Sequence, residues 1–247
     1  MPNLLFIADL HLSASNPDTL QLFLKFLETD ATDADELYIL GDLFDSWIGD
    51  DLGSDFTNQV RQGLKALSGQ TRIYFQAGNR DFLIGTLFAE QTGIQLLEDE
   101  TVIQILDQCI LLMHGDLLCT DDADYQQARK TLRSPALIDD FLSKPIQERL
   151  TLAAQYRKLS GEAIALKASD IMDVNQQAVL SVMHKHHAHH LIHGHTHRPN
   201  DHVFEVDGQQ YQRSVLSDWS NTSAEILRID YSNDKPGMHI SRYGIGR

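Results

Sequence analysis

The chain has 247 residues, 42% hydrophobic and 22% charged, the balance of a folded globular protein rather than a disordered or fibrous one. Its 35 acidic residues against 20 basic ones leave a net charge of −15, which argues against a broad basic surface and so against nucleic acid as a partner. Two cysteines, Cys109 and Cys119, are too few for a disulfide scaffold and fit a reducing compartment. No run approaches the ~18 apolar residues of a membrane span, and the first residues lack the charged and small-residue signature of a signal peptide. A cytoplasmic chain without an integral anchor is expected.

Leu4 to Ala8 reads as a strand, with Asp9 and His11 just past its carboxyl end. Leu20, Phe23, Leu24 and Leu27 then share one face of a helix over Thr19 to Glu28, and Glu36 to Leu40 is a second strand that runs into Gly41 and Asp42. A helix over Phe56 to Leu67, a strand over Arg72 to Gln76 and a helix over Phe82 to Gln91 continue the alternation, with Gly78, Asn79, Arg80 and Asp81 in the loop between the last two. This rhythm predicts a largely parallel, buried sheet.

Val102 to Leu106 and Cys109 to Met113 read as a hairpin that ends at His114, Gly115 and Asp116. From about Asp121 glycine nearly vanishes and the apolar period becomes 3.6 through Ile146, Leu150, Ala153 and Ala154. Strand character returns at His190 to His193 and in segments near Val203, Val215, Ile226 to Ile229 and Met238 to Tyr243. The expected organisation is a core of residues 1–120 and 188–247 with a helical cap at 121–187.

Asp9/His11, Asp42/Asp45, Asn79/Arg80/Asp81, His114 and His195/His197 each follow an apparent strand. In an α/β sheet such ends converge on one crevice. Two carboxylates, an amide oxygen and four imidazoles make a mixed nitrogen and oxygen donor set without thiolate, which favours Mn, Fe, Co or Zn in a catalytic role. Seven protein donors exceed what one ion with an open position needs, so two ions with one bridging carboxylate are expected. Two divalent ions offset by two carboxylates leave about +2 at the mouth, enough to attract phosphate to an acidic protein.

Singly, each block has an ordinary reading: Asp9-Leu10-His11 and Gly41-Asp42 as turns, His114 as a core histidine, and the run from His184 to His193 as a polar segment. Together and in order, Asp9-Leu10-His11, Gly41-Asp42-Leu43-Phe44-Asp45, Gly78-Asn79-Arg80-Asp81, His114-Gly115-Asp116 and Gly194-His195-Thr196-His197 resemble the calcineurin-like metallophosphoesterases. The resemblance implies a sandwich of two mixed β-sheets flanked by helices and two divalent ions, Mn being customary. It places Asp9, His11 and His197 at one ion, Asn79, His114 and His195 at the other, and Asp42 between them. Catalytic roles then fall on Asp42, Asn79, Arg80 and His195.

Most of that superfamily has histidine where this chain has Arg80. Arginine cannot donate a proton but clamps phosphate oxygens bidentately, and a phosphate monoester, whose second pKa is about 6, leaves without a proton donor. A pyrophosphate substrate is therefore expected. The Gly78 to Asp81 block, the Trp47 region and the insertion are similar to the bacterial pyrophosphatases that split UDP-2,3-diacylglucosamine into UMP and 2,3-diacylglucosamine 1-phosphate in lipid A synthesis. This implies an acyl-covering cap, substrate contacts at Asn79, Arg80, Asp122, Ser160, Lys167 and His195, and transient peripheral contact with the inner membrane by a monomer. Ile164 stands where that pattern has a polar residue. Arg149, Arg157, Lys158 and Lys167 are expected to bring cations near the phosphate or glucosamine. The competing readings are a nucleotide phosphodiesterase or dinucleoside polyphosphate hydrolase of the same fold, and a scaffold without chemistry.

Overall fold

The computed structural model describes residues 2–165, 173–232 and 235–246, the side chains of 159–165 and 235–236 excepted. In chain order the elements are β1 (Asn3–Ile7), α1 (Pro17–Glu28), β2 (Glu36–Leu40), α2 (Asp55–Leu67), β3 (Arg72–Gln76), α3 (Thr86–Thr92), β4 (Gln95–Leu97), β5 (Thr101–Ile105), β6 (Gln108–Met113), α4 (Ala123–Leu132), α5 (Pro135–Ser143), α6 (Ile146–Ala165), α7 (Gln176–Lys185), β7 (His190–His193), β8 (Asn200–Val206), β9 (Gln209–Val215), β10 (Ser223–Ser232) and β11 (Lys235–Gly246).

They form two sheets, one ordered β11-β10-β1-β2-β3-β4 and the other β5-β6-β7-β9-β8. Strands β1 to β4 run parallel, as do β6, β7 and β9. The alternation of side chains along a strand builds the layers. Leu4, Phe6 and Ala8 face the second sheet, where they pack with Ile110, Leu112 and Ile192. Leu5 and Ile7 face outward, under Phe23 and Phe26 of α1 and Val60 and Leu64 of α2. On the far side of the second sheet, Val179, Val182 and Met183 of α7 cover Leu111, Met113 and Leu191. The core is thus three stacked apolar layers, and burying both faces of β1, β2, β6 and β7 explains why these strands read as unbroken apolar runs.

The chemistry-bearing loops all follow strands β1, β2, β3, β6 and β7, so the two sheets deliver them to one end of the sandwich. Two elements differ from expectation. Residues 82–85 form a turn rather than the first turn of a helix, because Asp50 accepts backbone N–H bonds from Gly85 and Phe88 and so caps α3 at Thr86 instead. Strand β4 is only three residues long and half exposed, too short to show a period. Neither Cys109 nor Cys119 is in a disulfide among the described residues. Among the described residues, no helix is long and apolar enough to cross a membrane.

Candidate active site

Backbone hydrogen bonds bring the first two loops together: Asp9 N–H donates to Gly41 O, His11 N–H to Asp42 O, Leu12 N–H to Leu43 O and Asp45 N–H to Leu12 O. Asp81 joins the third loop to them. Its fully buried carboxylate accepts from the backbone N–H of Gly78 at 2.9 Å, Phe44 at 3.2 Å and Asp42 at 3.3 Å. Gly41 and Gly78 lie where the loops touch. A Cβ at Gly78 would overlap Asp42, and one at Gly41, whose φ is +88°, would overlap the His114 ring.

Among the described residues, eight non-glycine positions have positive φ, and five of them are Asp9, His11, Asp42, His195 and His197. Left-handed backbone costs these side-chain types free energy and concentrates at functional sites. The strain here turns side chains from three separate loops toward one point.

Around that point Asp9, His11 and His197 present donor atoms all within 4.8 Å of one another, and so do Asp9, Asp42 and His114. Asp42 lies 4.0 Å from His11 Nδ1 through one carboxylate oxygen and 3.8 Å from His114 Nε2 through the other. Asn79 Oδ1 is 3.0 Å from both His114 Nε2 and His195 Nδ1. All seven residues named from the sequence therefore meet in one cluster.

The cluster fits divalent cations on its own chemistry. Asp9 Oδ2 accepts from His195 N–H, whereas Asp9 Oδ1 is buried and accepts no hydrogen bond, its nearest polar neighbour being His197 Nε2 at 3.5 Å. His114 Nδ1 is within hydrogen-bond distance of Leu40 O, which leaves Nε2 facing Asn79 Oδ1 at 3.0 Å. His11 Nε2 and His197 Nε2 face each other at 3.2 Å. An orphaned buried carboxylate oxygen among converging imidazole nitrogens is what a bound cation satisfies.

The charges agree. Burial, with Asp9 adding to it, pushes the Asp42 carboxyl up to about 6. Burial also works to raise Asp9, but His197, His114 and His11 together hold it below the usual range. His114 is driven up to about 8 because Asp42, Asp9 and Asp116 outweigh its burial, while burial beside His114 pushes His195 down to about 4. His197 is raised by Asp9 first and also by Asp218, and burial lowers His11.

The cluster opens into a cavity of about 890 Å³ lined in part by His11, Asp42, Asn79, Arg80, His195 and His197. Helices α4, α5 and α6 line it as well, with Leu132, Leu137, Ile138, Phe141 and Leu152 in the wall. Asp122, which caps α4 by accepting from Tyr125 N–H, is also part of the wall. Arg80 N–H donates to Asp42 Oδ1 at 2.8 Å, while its side-chain Nε is buried without a hydrogen-bond partner.

Two expectations change. Arg149 is turned away from the cavity; it is 2% exposed, donates to Ile48 O at 2.7 Å and pairs through both guanidinium nitrogens with Asp51. A guanidinium fork satisfies a buried carbonyl and a carboxylate at once, which decides its direction. Arg157 does reach the cavity wall, but it pairs with Asp45 at 2.5 Å. Ser160 lies within α6, but its side chain, that of Ile164, and all of Lys167 are outside the described residues. The sequence reading also missed the apolar wall on α5, although Leu137, Ile138 and Phe141 are spaced to share a face. It missed Arg129 and Arg133 of the α4 end, for which the i, i+4 spacing is the one signal.

A family model of calcineurin-like phosphoesterases matches residues 2–199. Proteins named UDP-2,3-diacylglucosamine hydrolase are similar along most of the chain. That of Chromohalobacter salexigens is 48% identical over 227 residues, 92% of each chain. That of Serratia proteamaculans is 47% identical over 88% of this chain and 91% of its own, and that of an Escherichia coli O6:H1 strain is 46% identical over 91% and 94%.

Proposed function

This chain belongs to the calcineurin-like phosphoesterase family, and on that premise we propose that it hydrolyses the pyrophosphate of UDP-2,3-diacylglucosamine, giving UMP and 2,3-diacylglucosamine 1-phosphate. The observation that carries this reading is one cavity lined both by the donor cluster and by an apolar wall from α4, α5 and α6. A nucleotide phosphodiesterase has no use for that apolar wall, whereas a diacylated sugar needs it to shelter its chains. The relatives' shared name supports the same substrate.

Asp9, His11, Asp42 and His197 would hold one divalent ion and Asp42, Asn79, His114 and His195 the other, with manganese suited to the oxygen and nitrogen set. Two such ions supply Lewis acidity at the phosphoryl oxygens and a water acidic enough to act as nucleophile near neutral pH. The remaining work belongs to the protein. Arg80 offers its unpartnered guanidinium edge to the non-bridging oxygens. The departing group is a phosphate monoester, so no proton donor is required where Arg80 stands. Asp81 keeps the Asp42 and Asn79 loops in register through its three backbone bonds. Asp122, His195, Ser160 and Lys167 would supply further substrate contacts, as the family resemblance implies.

Helices α4 to α6 act as the cap and wall the cavity, while α7 packs on the second sheet as part of the core. Leu142, Leu150 and Tyr156 are exposed on α5 and α6 close to Arg157, which suits transient docking on a bilayer surface.

The test is UMP release from UDP-2,3-diacylglucosamine by the manganese-loaded protein, beside an aryl phosphate ester and an Asp42→Asn control. Release from the lipid substrate, lost in the variant, supports the proposal. Turnover of the aryl ester alone returns the substrate to the wider family.

A further inference from the structure

Two arginines one helical turn apart at the end of α4 grip the core. Arg129 donates through Nε to Asp116 Oδ2 and through Nη2 to Asp99 Oδ2, each at 2.7 Å. Arg133 donates through Nη1 to Asp99 Oδ1 at 3.0 Å and through Nη2 to the Gly78 carbonyl at 2.8 Å. Two cations and two carboxylates balance, so this cluster needs no ligand. The bond to Gly78 is not explained by charge balance, because it directs half of one guanidinium to a backbone oxygen in the loop that carries Asn79.

That oxygen belongs to the peptide whose nitrogen is Asn79's own, so the orientation of this peptide plane sets the direction in which the Asn79 side chain leaves the backbone. Core carboxylates fix the loop on either side, Asp81 through Gly78 N–H and Asp42 through Arg80 N–H. The carbonyl between them is held from the cap. Glycine at 78 gives the peptide unusual rotational freedom, and a side chain there is barred because its Cβ would overlap Asp42. Arg133 adds to these carboxylate bonds one on the carbonyl from the cap. Ala128, Arg129, Leu132 and Arg133 all contribute to the cavity wall, so one helix end both meets the bound molecule and holds the Gly78–Asn79 peptide.

We infer that Arg133 is a positioning residue for Asn79, acting through the Gly78 carbonyl from the cap helix. This rests on Asn79 belonging to the reactive cluster. The experiment compares Arg133→Lys and Arg133→Met with the unaltered protein, each manganese-loaded. Lysine keeps a cation for Asp99 and Asp116 but its single ammonium cannot act as a fork. The readouts are kcat and KM for UDP-2,3-diacylglucosamine and for bis(4-nitrophenyl) phosphate, a diester without acyl chains, with manganese titration of the metal-free protein and the melting temperature.

Loss of an outer partner predicts a kcat lower by about tenfold on both substrates and the weaker manganese step weakened by about tenfold. KM for the lipid substrate should move less than about threefold, and Arg133→Lys, which keeps a cation for Asp99 and Asp116, should show the kcat and manganese losses with a melting temperature no lower than that of Arg133→Met. A loss confined to KM for the lipid substrate would make Arg133 a brace of the cap only and overturn the inference. So would a lower melting temperature with kcat and manganese affinity intact. If the unaltered protein cleaves the diester but releases no UMP, the pyrophosphatase reading fails, while the diester kcat and the titration still decide the role of Arg133.

Discussion

Replacing Arg149 by Met removes the guanidinium while keeping most of the stem. The stem is worth keeping, because the residue is 2% exposed where α6 meets the loop after β2. Three bonds are lost, one to Ile48 O and two to Asp51. The Asp51 side chain is 56% exposed and regains water, so its pair contributes only about 0.5–1 kcal/mol. Ile48 O is buried and is left without that donor, at a cost of about 1–3 kcal/mol. Recovering the desolvation of the guanidinium offsets part of this, and the net is about 2–3 kcal/mol. For a chain of this size each kcal/mol moves the melting temperature by about 2–4 °C, so a decrease of roughly 5–10 °C is expected by calorimetry. Because the lost bonds tie α6 to the core, limited proteolysis should cut within 121–187 sooner, and KM for the diacylated substrate should rise while turnover of a chainless diester stays the same. A melting temperature within about 1 °C of the unaltered protein, with unchanged proteolysis, would refute the view that Arg149 anchors the cap.

Asp9→Ala should abolish UMP release and lower the manganese bound per chain, read by elemental analysis; full occupancy would remove Asp9 from the cluster's ligands. Ile138→Trp, which fills the apolar part of the cavity, should raise KM for the diacylated substrate about tenfold or more with no change on a chainless diester, and equal effects on both would place the chains elsewhere. Burial pushes His190 from 6.5 down to about 4 against the opposing pull of Asp201. Between these values the unfolded chain binds a proton that the folded one does not, so stability is lost as pH falls from about 6.5 to about 4. His190→Gln should flatten that decline by up to about 1.4 kcal/mol per pH unit in denaturant titrations; an unaltered slope would mean the ring protonates freely in the fold. Neutralising Arg157 and Lys158 should reduce cosedimentation with anionic vesicles, and unchanged cosedimentation would count against docking through α6.

The donor set was legible in the linear chain because each member follows a short apolar strand within a few residues, and strand ends in an α/β arrangement can only converge at one rim. Asp9, His11, Asp42, Asn79, His114, His195 and His197 needed no knowledge of distances to be grouped. Arg80 carried the leaving-group argument by its side-chain chemistry set against the histidine that the resembling family has at that position. The direction of the cap's cations was not legible. Arg149 and Arg157 lie on one helix, and whether each meets a phosphate, Asp51 or Asp45 depends on how that helix seats on the core.

The sequence alone determined which apolar strands the reactive loops follow and the donor types, since these follow from local periodicity and from what each side chain can donate or accept. Only the tertiary structure decided that Asp81 stitches two loops through backbone N–H groups, that five of the seven donors sit in left-handed backbone, and that Arg133 reaches the Gly78 carbonyl across 55 positions. Backbone donors and acceptors are the same at every residue, so which of them a buried carboxylate or guanidinium will satisfy leaves no mark in the sequence and is settled when the two sheets and the cap close around them.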